Sequence, residues 1–337
     1  MKPVLLLVLF ACLSCYGQRA DFSQIDFKKA DSIALALKGE SLQNLPVLTH
    51  KLTTHLTTDV EKFRAIYTWV STNIENDYTS YIKTSKKRKK FAKDREALLE
   101  WNRSFTPKVF QKLLKEKKTA CTGYAYLVQE LVLLADINCK IIDGYGRTAH
   151  TMVDENSLPN HSWNAVELNG KWYLSDATWS AGRVEVEEGL PRFIPDYADG
   201  YFLANPILFA KNHYPLDSKW VLMSESYSFQ DFTKGPVVYK EAFKHNITPI
   251  APRAMHIETL RNEAVVFSLN VPPSFKNENI SLLLTTGNSN KNMQSKVSSD
   301  QNGQHLEHIF TKAGTYDIHI KANDDILATY VVKVKRK

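Results

Sequence analysis

Apolar residues at helical spacing mark the first strong element of the chain. Phe63, Ile66, Tyr67, Val70 and Ile74 line one face, with Trp69 at its border. Thr58-Asp59-Val60-Glu61 ahead of them has the spacing of a capping box, so a core helix is predicted from there. Upstream, residues 18–56 are only weakly periodic (Ile33, Leu35, Leu37, Leu42, Leu45, Leu48) and predict an N-terminal helical extension. Phe105 to Leu114 predicts a short amphipathic helix with Pro107 in its first turn. An apolar helix follows from Cys121 to about Ala135, and then a strand from Cys139 to Gly146. His161–Leu168 and Lys171–Trp179 are β-prone runs separated by Asn169-Gly170, a strong hairpin signal.

Beyond residue 245 the period changes from helical to alternating. Residues 246–254 hold Pro249 and Pro252 without periodicity and are expected to be a linker. Five short runs then follow, starting at Ala264, Ile280, His305, Tyr316 and Thr329, separated by Asn-, Ser- and Gly-rich loops. They predict an immunoglobulin-like β-sandwich over residues 255–337. The fold class is therefore α+β over residues 57–245, followed by an all-β domain.

At 337 residues the chain has the length of two domains, and 43% hydrophobic with 23% charged residues is ordinary for a folded protein. Residues 1–17 stand apart. Lys2, the apolar run Val4–Leu13 and the small-residue end at Gly17 make a secretory signal, expected to be cut after Gly17. Lipid attachment at Cys12 is the alternative. Either outcome predicts an exported protein, periplasmic or secreted, and no later run is apolar for long enough to span a bilayer.

The net charge of +7 comes from one region. Residues 83–118 hold fourteen Lys or Arg against four Asp or Glu, a net of +10, densest over Lys86-Lys87-Arg88-Lys89-Lys90. This run is either a solvated face or a contact to anionic glycans or lipid head groups. Export argues against nucleic acid.

Candidate chemistry centres on Cys121. It stands at a predicted helix start, behind Lys115, Lys117 and Lys118, with Thr119 the expected N-cap and Cys121 at the second helical position. Unpaired backbone N–H groups and cationic neighbours lower a thiol pKa from ~8.5 by one to several units. The other thiol left after export, Cys139, lies beyond the helix, roughly 20 Å away, whereas a disulfide needs Cα atoms within about 7 Å. Cys139 is expected to be a packed structural thiol.

A two-residue turn at Asn169-Gly170 would place Leu168 opposite Lys171 and Trp163 opposite Asp176. His161 shares the Trp163 face, so His161 and Asp176 become diagonal neighbours with Cβ atoms up to about 7 Å apart. A carboxylate-oriented histidine and a helix-start cysteine compose a thiol triad: Cys121 nucleophile, His161 base, Asp176 orienting residue.

Cys121-Thr122-Gly123-Tyr124-Ala125, His161-Ser162-Trp163-Asn164 and Asp176-Ala177-Thr178-Trp179 resemble the transglutaminase-like superfamily, a papain-related cysteine fold. Tyr201-Phe202-Leu203, Asn205-Pro206, Phe209, His213-Tyr214-Pro215 and Lys219-Trp220-Val221-Leu222 resemble its kyphoscoliosis-peptidase branch. The resemblance spans about residues 55–245. It implies a cysteine helix packed on an antiparallel sheet carrying His and Asp, and the same three roles for Cys121, His161 and Asp176. One departure is Thr119, where the family usually has glycine two residues before the cysteine.

The resulting expectation is an exported thiol enzyme acting on protein or peptide amides, with hydrolysis favoured over amine transfer. A cross-linking transglutaminase and a binding or scaffold protein without turnover are the alternatives. No cofactor is implied. His305, His308 and His319 fall on separate strands without a ligand pattern and are expected to be surface residues, not metal ligands.

Overall fold

A computed structural model describes residues 18–91, 93–275, 279–286, 289–301 and 303–336. The expected export signal, with Lys2, Cys12 and the cut after Gly17, lies outside these residues. Among the described residues no helix is long and apolar enough to cross a membrane.

Two short helices, α1 (Lys28–Ala36) and α2 (Leu45–Thr53), pack on α3 (Asp59–Asn73). The capping box forms: Thr58 Oγ1 accepts the Glu61 N–H at 3.3 Å, and Glu61 Oε2 accepts the Thr58 N–H at 3.0 Å. The apolar face of α3 is wider than expected, because α1 and α2 cover a second side. Trp69 is fully buried and donates to the Leu37 carbonyl at 2.8 Å. Buried Arg64 reaches Asp31 of α1 at 2.6 Å and also pairs with Asp199. The N-terminal extension is thus part of the core packing.

Strand β1 (Glu75–Asn76) pairs in parallel with β2 (Lys118–Thr119), and between them run α4 (Tyr78–Lys90) and α5 (Arg95–Glu116). The basic run Lys87–Lys90 occupies the last turn of α4, where cations complement the helix dipole. The helix expected to begin near Phe105 instead begins at Arg95, with Pro107 in its interior. Asp94 supplies the cap that sequence periodicity did not show, accepting the Ala97 N–H at 3.0 Å.

Next come α6 (Cys121–Leu133), β3 (Cys139–Gly146), β4 (His161–Leu168), β5 (Lys171–Ser175) and α7 (Ala177–Ala181). With β8 (His213–Pro215) the strands make an antiparallel sheet of order β5-β4-β3-β8, and α6 packs across it. The hairpin has the expected register, Leu168 opposite Lys171 and Asn164 opposite Ser175. Both turn residues have positive φ (Asn169 51°, Gly170 73°), which explains the Asn-Gly pair. A hairpin of β6 (Gly182–Glu187) and β7 (Leu190–Pro195) flanks this sheet.

Three short helices follow, α8 (Pro206–Phe209), α9 (Phe229–Lys234) and α10 (Lys240–His245), with β9 (Val237–Val238) before the last. The remainder is all-β. One sheet contains β10 (Thr248–Ala251), β12 (Ala264–Asn270), β15 (Lys296–Asp300) and β16 (Gly303–Ile309). The other contains β11 (His256–Leu260), β13 (Ile280–Thr286), β14 (Ser289–Met293), β17 (Gly314–Ala322) and β18 (Asp325–Lys335). Their facing sides bury Phe267, Leu269 and Leu306 against Ile318, Tyr330 and Val332. Pairing is antiparallel except for β11 with β18.

The expected linker at 246–254 needs correction. Thr248–Ala251 is strand β10, paired with β12, and Ile247 is fully buried. Val237–Val238 also pairs with β18, so the all-β region is entered before residue 245. Prolines hid these strands, since proline is tolerated at sheet edges and β10 is an edge. Arg147, just past β3, ties the two regions together. It is 2% exposed and donates to the carbonyls of Phe232, Thr233, Gly235 and Pro236.

At the start of α6 the expected Thr119 cap is absent. Ala120 is the N-cap, without a side-chain hydrogen bond, and Cys121 is the first helical residue. Thr119 ends β2, where its carbonyl accepts the Asp77 N–H at 2.8 Å. Its side chain turns inward beneath Gly123, where an added Cβ would meet Thr119 Oγ1 at 1.9 Å. Two outcomes follow. Arg147→Ala leaves several buried carbonyls unpaired and should lower stability by about 3 kcal/mol in urea denaturation. Gly123→Ala should cost about 1–3 kcal/mol through overpacking, and adding Thr119→Gly should recover most of that loss.

Candidate active site

Each of the three residues singled out in the sequence sits where one element gives way to the next. Cys121 opens α6, where the first N–H groups lack intrahelical partners. His161 opens β4, and Asp176 leaves β5 after Ser175 to become the N-cap of α7. Gly146, at the end of β3, makes room: an added Cβ there would stand 3.1 Å from the His161 ring and 3.2 Å from Trp179. Asn160 fastens the approach to β4 by a paired contact with the Gly146 backbone, at 2.6 Å and 3.0 Å.

Asp176 has no solvent exposure, yet both carboxylate oxygens are satisfied. Oδ1 accepts the N–H groups of Thr178 at 2.8 Å and Trp179 at 3.2 Å. Oδ2 faces His161 Nε2 at 2.7 Å and His213 Nε2 at 3.0 Å. Burial alone would raise the pKa of this acid, but the two imidazoles outweigh it and hold the carboxyl well below the usual range. Asp176 is ionised.

With Nε2 of His161 on the carboxylate, Nδ1 is the nitrogen left for the neighbouring Cys121 thiol, which itself lies 4.0 Å from the Asn160 carbonyl oxygen. Burial pushes the His161 pKa down, and Asp176, then Cys121, push it up more strongly, to about 10. For Cys121, burial works against the thiolate, but the hydrogen bond and charge of His161, with the Ser162 backbone, bring the pKa below that of an ordinary thiol. Both directions favour a thiolate–imidazolium pair. Cys139 behaves oppositely: burial raises its thiol to about 12, only partly offset by Asn164. Both cysteines are free.

A cleft of about 470 Å³ opens over Cys121 and His161, walled by Tyr78, Tyr81, Trp179 and Val184 among others. Burial and the neighbouring Cys121 charge raise the Tyr81 pKa and keep its phenol protonated. Thr119, the departure from the family pattern, does not line this cleft. A larger cavity of about 600 Å³ lies elsewhere, and charges on its wall include the pairs Lys244 with Asp325 at 2.8 Å and Arg19 with Asp199.

His213 was not singled out by its chemistry in the sequence, where it stood only inside His213-Tyr214-Pro215. Its place depends on β8 pairing with β3, Gly146 opposite His213, a contact across more than sixty residues that no local pattern signals. His161, Asp176 and His213 each offer one ligand atom within 4.8 Å of the others. The 2.7 Å and 3.0 Å separations are hydrogen bonds, shorter than the roughly 3.3 Å between ligands that ~2.05 Å tetrahedral metal bonds require. The donor set therefore reads as a hydrogen-bonded cluster.

Residues 47–177 match the family model of the transglutaminase-like superfamily. Kyphoscoliosis peptidase of Homo sapiens is 28% identical over 307 residues, covering 90% of this chain and 42% of that protein. Hillarin of Drosophila melanogaster is 26% identical over 234 residues, covering 66% of this chain and 26% of its own length. A solved transglutaminase structure aligns with 47% of this chain and 37% of its own at 13% identity, with a TM-score of 0.27. The chain thus spans less than half the length of the curated relatives. Residues 47–177, with their cysteine helix set on an antiparallel sheet, thus form a transglutaminase-like domain, and the chain is similar over 90% of its length to kyphoscoliosis peptidase.

Proposed function

We propose that this chain is an exported thiol enzyme that cleaves amide bonds of proteins or peptides through a thioester, with Cys121 as nucleophile, His161 as base and Asp176 as orienting residue. One observation carries the reading. The buried carboxylate of Asp176 stands 2.7 Å from the imidazole of His161, and His161 lines one cleft together with Cys121, the first residue of a helix. The human and mouse relatives are likewise named as peptidases.

The Cys121 thiolate attacks the amide carbonyl carbon, and the carbonyl electron pair moves onto oxygen. The Cys121 backbone N–H, unpaired at the start of α6, is placed to stabilise that oxyanion. The C–N bond breaks as His161 gives its proton to the leaving amine, which leaves a thioester on Cys121. His161, now neutral, takes a proton from water as the water attacks; the acid departs and the thiolate is restored. An amine in place of water would make the same site cross-link. We assign this chemistry to residues 57–245 and a non-catalytic role to the all-β region, with Lys86–Lys90 as a contact to anionic glycan or membrane surface.

Cys121 should be alkylated by iodoacetamide well below pH 8, the rate rising as pH climbs through its depressed pKa. A rate that follows an ordinary thiol, ~8.5, would overturn the triad reading. Turnover also needs His161 protonated, so it should fall again as pH rises toward about 10. Incubation with a proteome-derived peptide library, with and without added amine, should yield cleaved or amine-bearing peptides from the wild type and none from Cys121→Ala. Asp176→Asn should lower the rate by about 10²–10⁴. Identical peptide maps for wild type and Cys121→Ala would leave a binding role for the fold.

A further inference from the structure

A thiol site needs one imidazole on its orienting carboxylate, and here Asp176 carries two. The second belongs to a ring that cannot turn. His213 is 1% exposed, stacked on Phe209 at 3.9 Å and 14°, with Trp179 at 4.3 Å and Trp163 at 5.1 Å. Its backbone is fixed by the β3–β8 ladder. The position of Nε2, 3.0 Å from Asp176 Oδ2, is therefore set by packing.

We propose that His213 is a positioning residue of the thiol site: as a neutral imidazole protonated on Nε2, it fixes Asp176 so that Oδ2 receives the His161 Nε2–H. The proposal rests on the roles given above to Cys121, His161 and Asp176.

The proton positions follow from the partners. Nδ1 of His213 lies 2.6 Å from the Asn212 side-chain atom assigned as Oδ1, and the Tyr201 phenol neighbours the other end of the same amide. The two ends of an amide occupy nearly the same space, so their identities follow from the network. Exchanging the two ends of the Asn212 amide gives Nδ1 and Nε2 complementary partners around a neutral ring. Tyr201 O–H donates to the Asn212 oxygen, the Asn212 N–H donates to His213 Nδ1, and His213 Nε2–H donates to Asp176 Oδ2. The titratable groups facing the ring are Asp176, His161 and Tyr201, and Phe209, Trp163 and Trp179 supply aromatic surface. Burial lowers the His213 pKa to about 4 in spite of Asp176. A second imidazolium would also stand beside that of His161, ring centroids 5.3 Å apart.

The arrangement has two effects on the site. Two N–H groups from the start of α7 hold Oδ1, so a fixed donor on Oδ2 locks the carboxylate plane, and with it the Nε2-bonded orientation of His161. Sharing Oδ2 between two donors also makes Asp176 less basic, so the proton stays on His161 Nε2 and Nδ1 stays turned to Cys121.

Three measurements test this on the full chain: the pH profile of Cys121 alkylation, two-bond ¹H–¹⁵N spectra of the histidines, and thermal denaturation. In His213→Phe, which keeps the stacking but loses the donor, alkylation at pH 6 should slow roughly 10- to 100-fold and its acid limb should move upward, the span expected for one lost hydrogen bond to a charged group. His213→Gln, whose amide N–H reaches about as far as Nε2, should recover most of the rate. In the wild type, His213 should show the neutral Nε2–H form from pH 5 to 9. A His213→Phe protein with lowered melting temperature but an unchanged pH profile would reduce His213 to a packing residue, and an Nδ1–H or doubly protonated His213 would overturn the proposal even where the variants do not fold. A wild-type Cys121 that reacts like a free thiol would instead sink the triad reading while the spectra still decide the state of His213.

Discussion

A carboxylate with no access to water is the constraint around which this site is built. Removing a charge from solvent costs several kcal/mol unless hydrogen bonds replace the water, and Asp176 has four such donors. Two come from backbone at the start of α7, which requires the chain to leave β5 at Asp176. The other two are imidazoles from β4 and β8, which requires these strands to flank β3. Tyr67 of α3 adds a bond from its hydroxyl to the Asp176 carbonyl at 2.9 Å. Helix α7, strands β4 and β8 and the core helix α3 therefore converge on one residue.

The same charge organises the electrostatics outward. Asp176 holds His161 toward its protonated form, and His161 holds Cys121 toward thiolate. The helix start adds unpaired N–H groups beside the sulfur. Each shift favours the charged form of its neighbour, carboxylate, imidazolium and thiolate in turn, in buried surroundings where such interactions are little screened. Cys139 shows the contrast: equally buried, without an imidazole partner, it is pushed away from reactivity. Burial raises the pKa of both thiols, and an imidazole neighbour offsets it for Cys121.

The all-β region is joined to this core more closely than a tethered module would be. Ile142, Trp163 and Leu174 from the site's sheet share one apolar cluster with Phe243, Phe267 and Tyr330. Arg147 leaves the end of β3 and donates to four carbonyls in the segment that leads into that region. The strand ends that carry His161 and His213 are consequently braced from both sides.

Local rules were enough for a good part of this. The Thr58–Glu61 box, the Asn169-Gly170 turn and the Leu168–Lys171 register are encoded within a few residues, and that register brings His161 and Asp176 together. The helix beginning at Cys121 was likewise visible from its apolar run, although its cap was misread, because Thr119 is claimed by pairing with β1. What the chain could not declare locally depends on contacts between distant segments. The edge strand β10 was hidden by its prolines, the true start of α5 by weak periodicity, and His213 by a strand of three residues whose partner lies more than sixty residues away. Sequence by itself determined the core helix α3, the helix at Cys121 and the hairpin that pairs His161 with Asp176. Tertiary structure decided their burial and proton states and added the second imidazole, since desolvation and hydrogen bonding across strands exist only once the chain has packed.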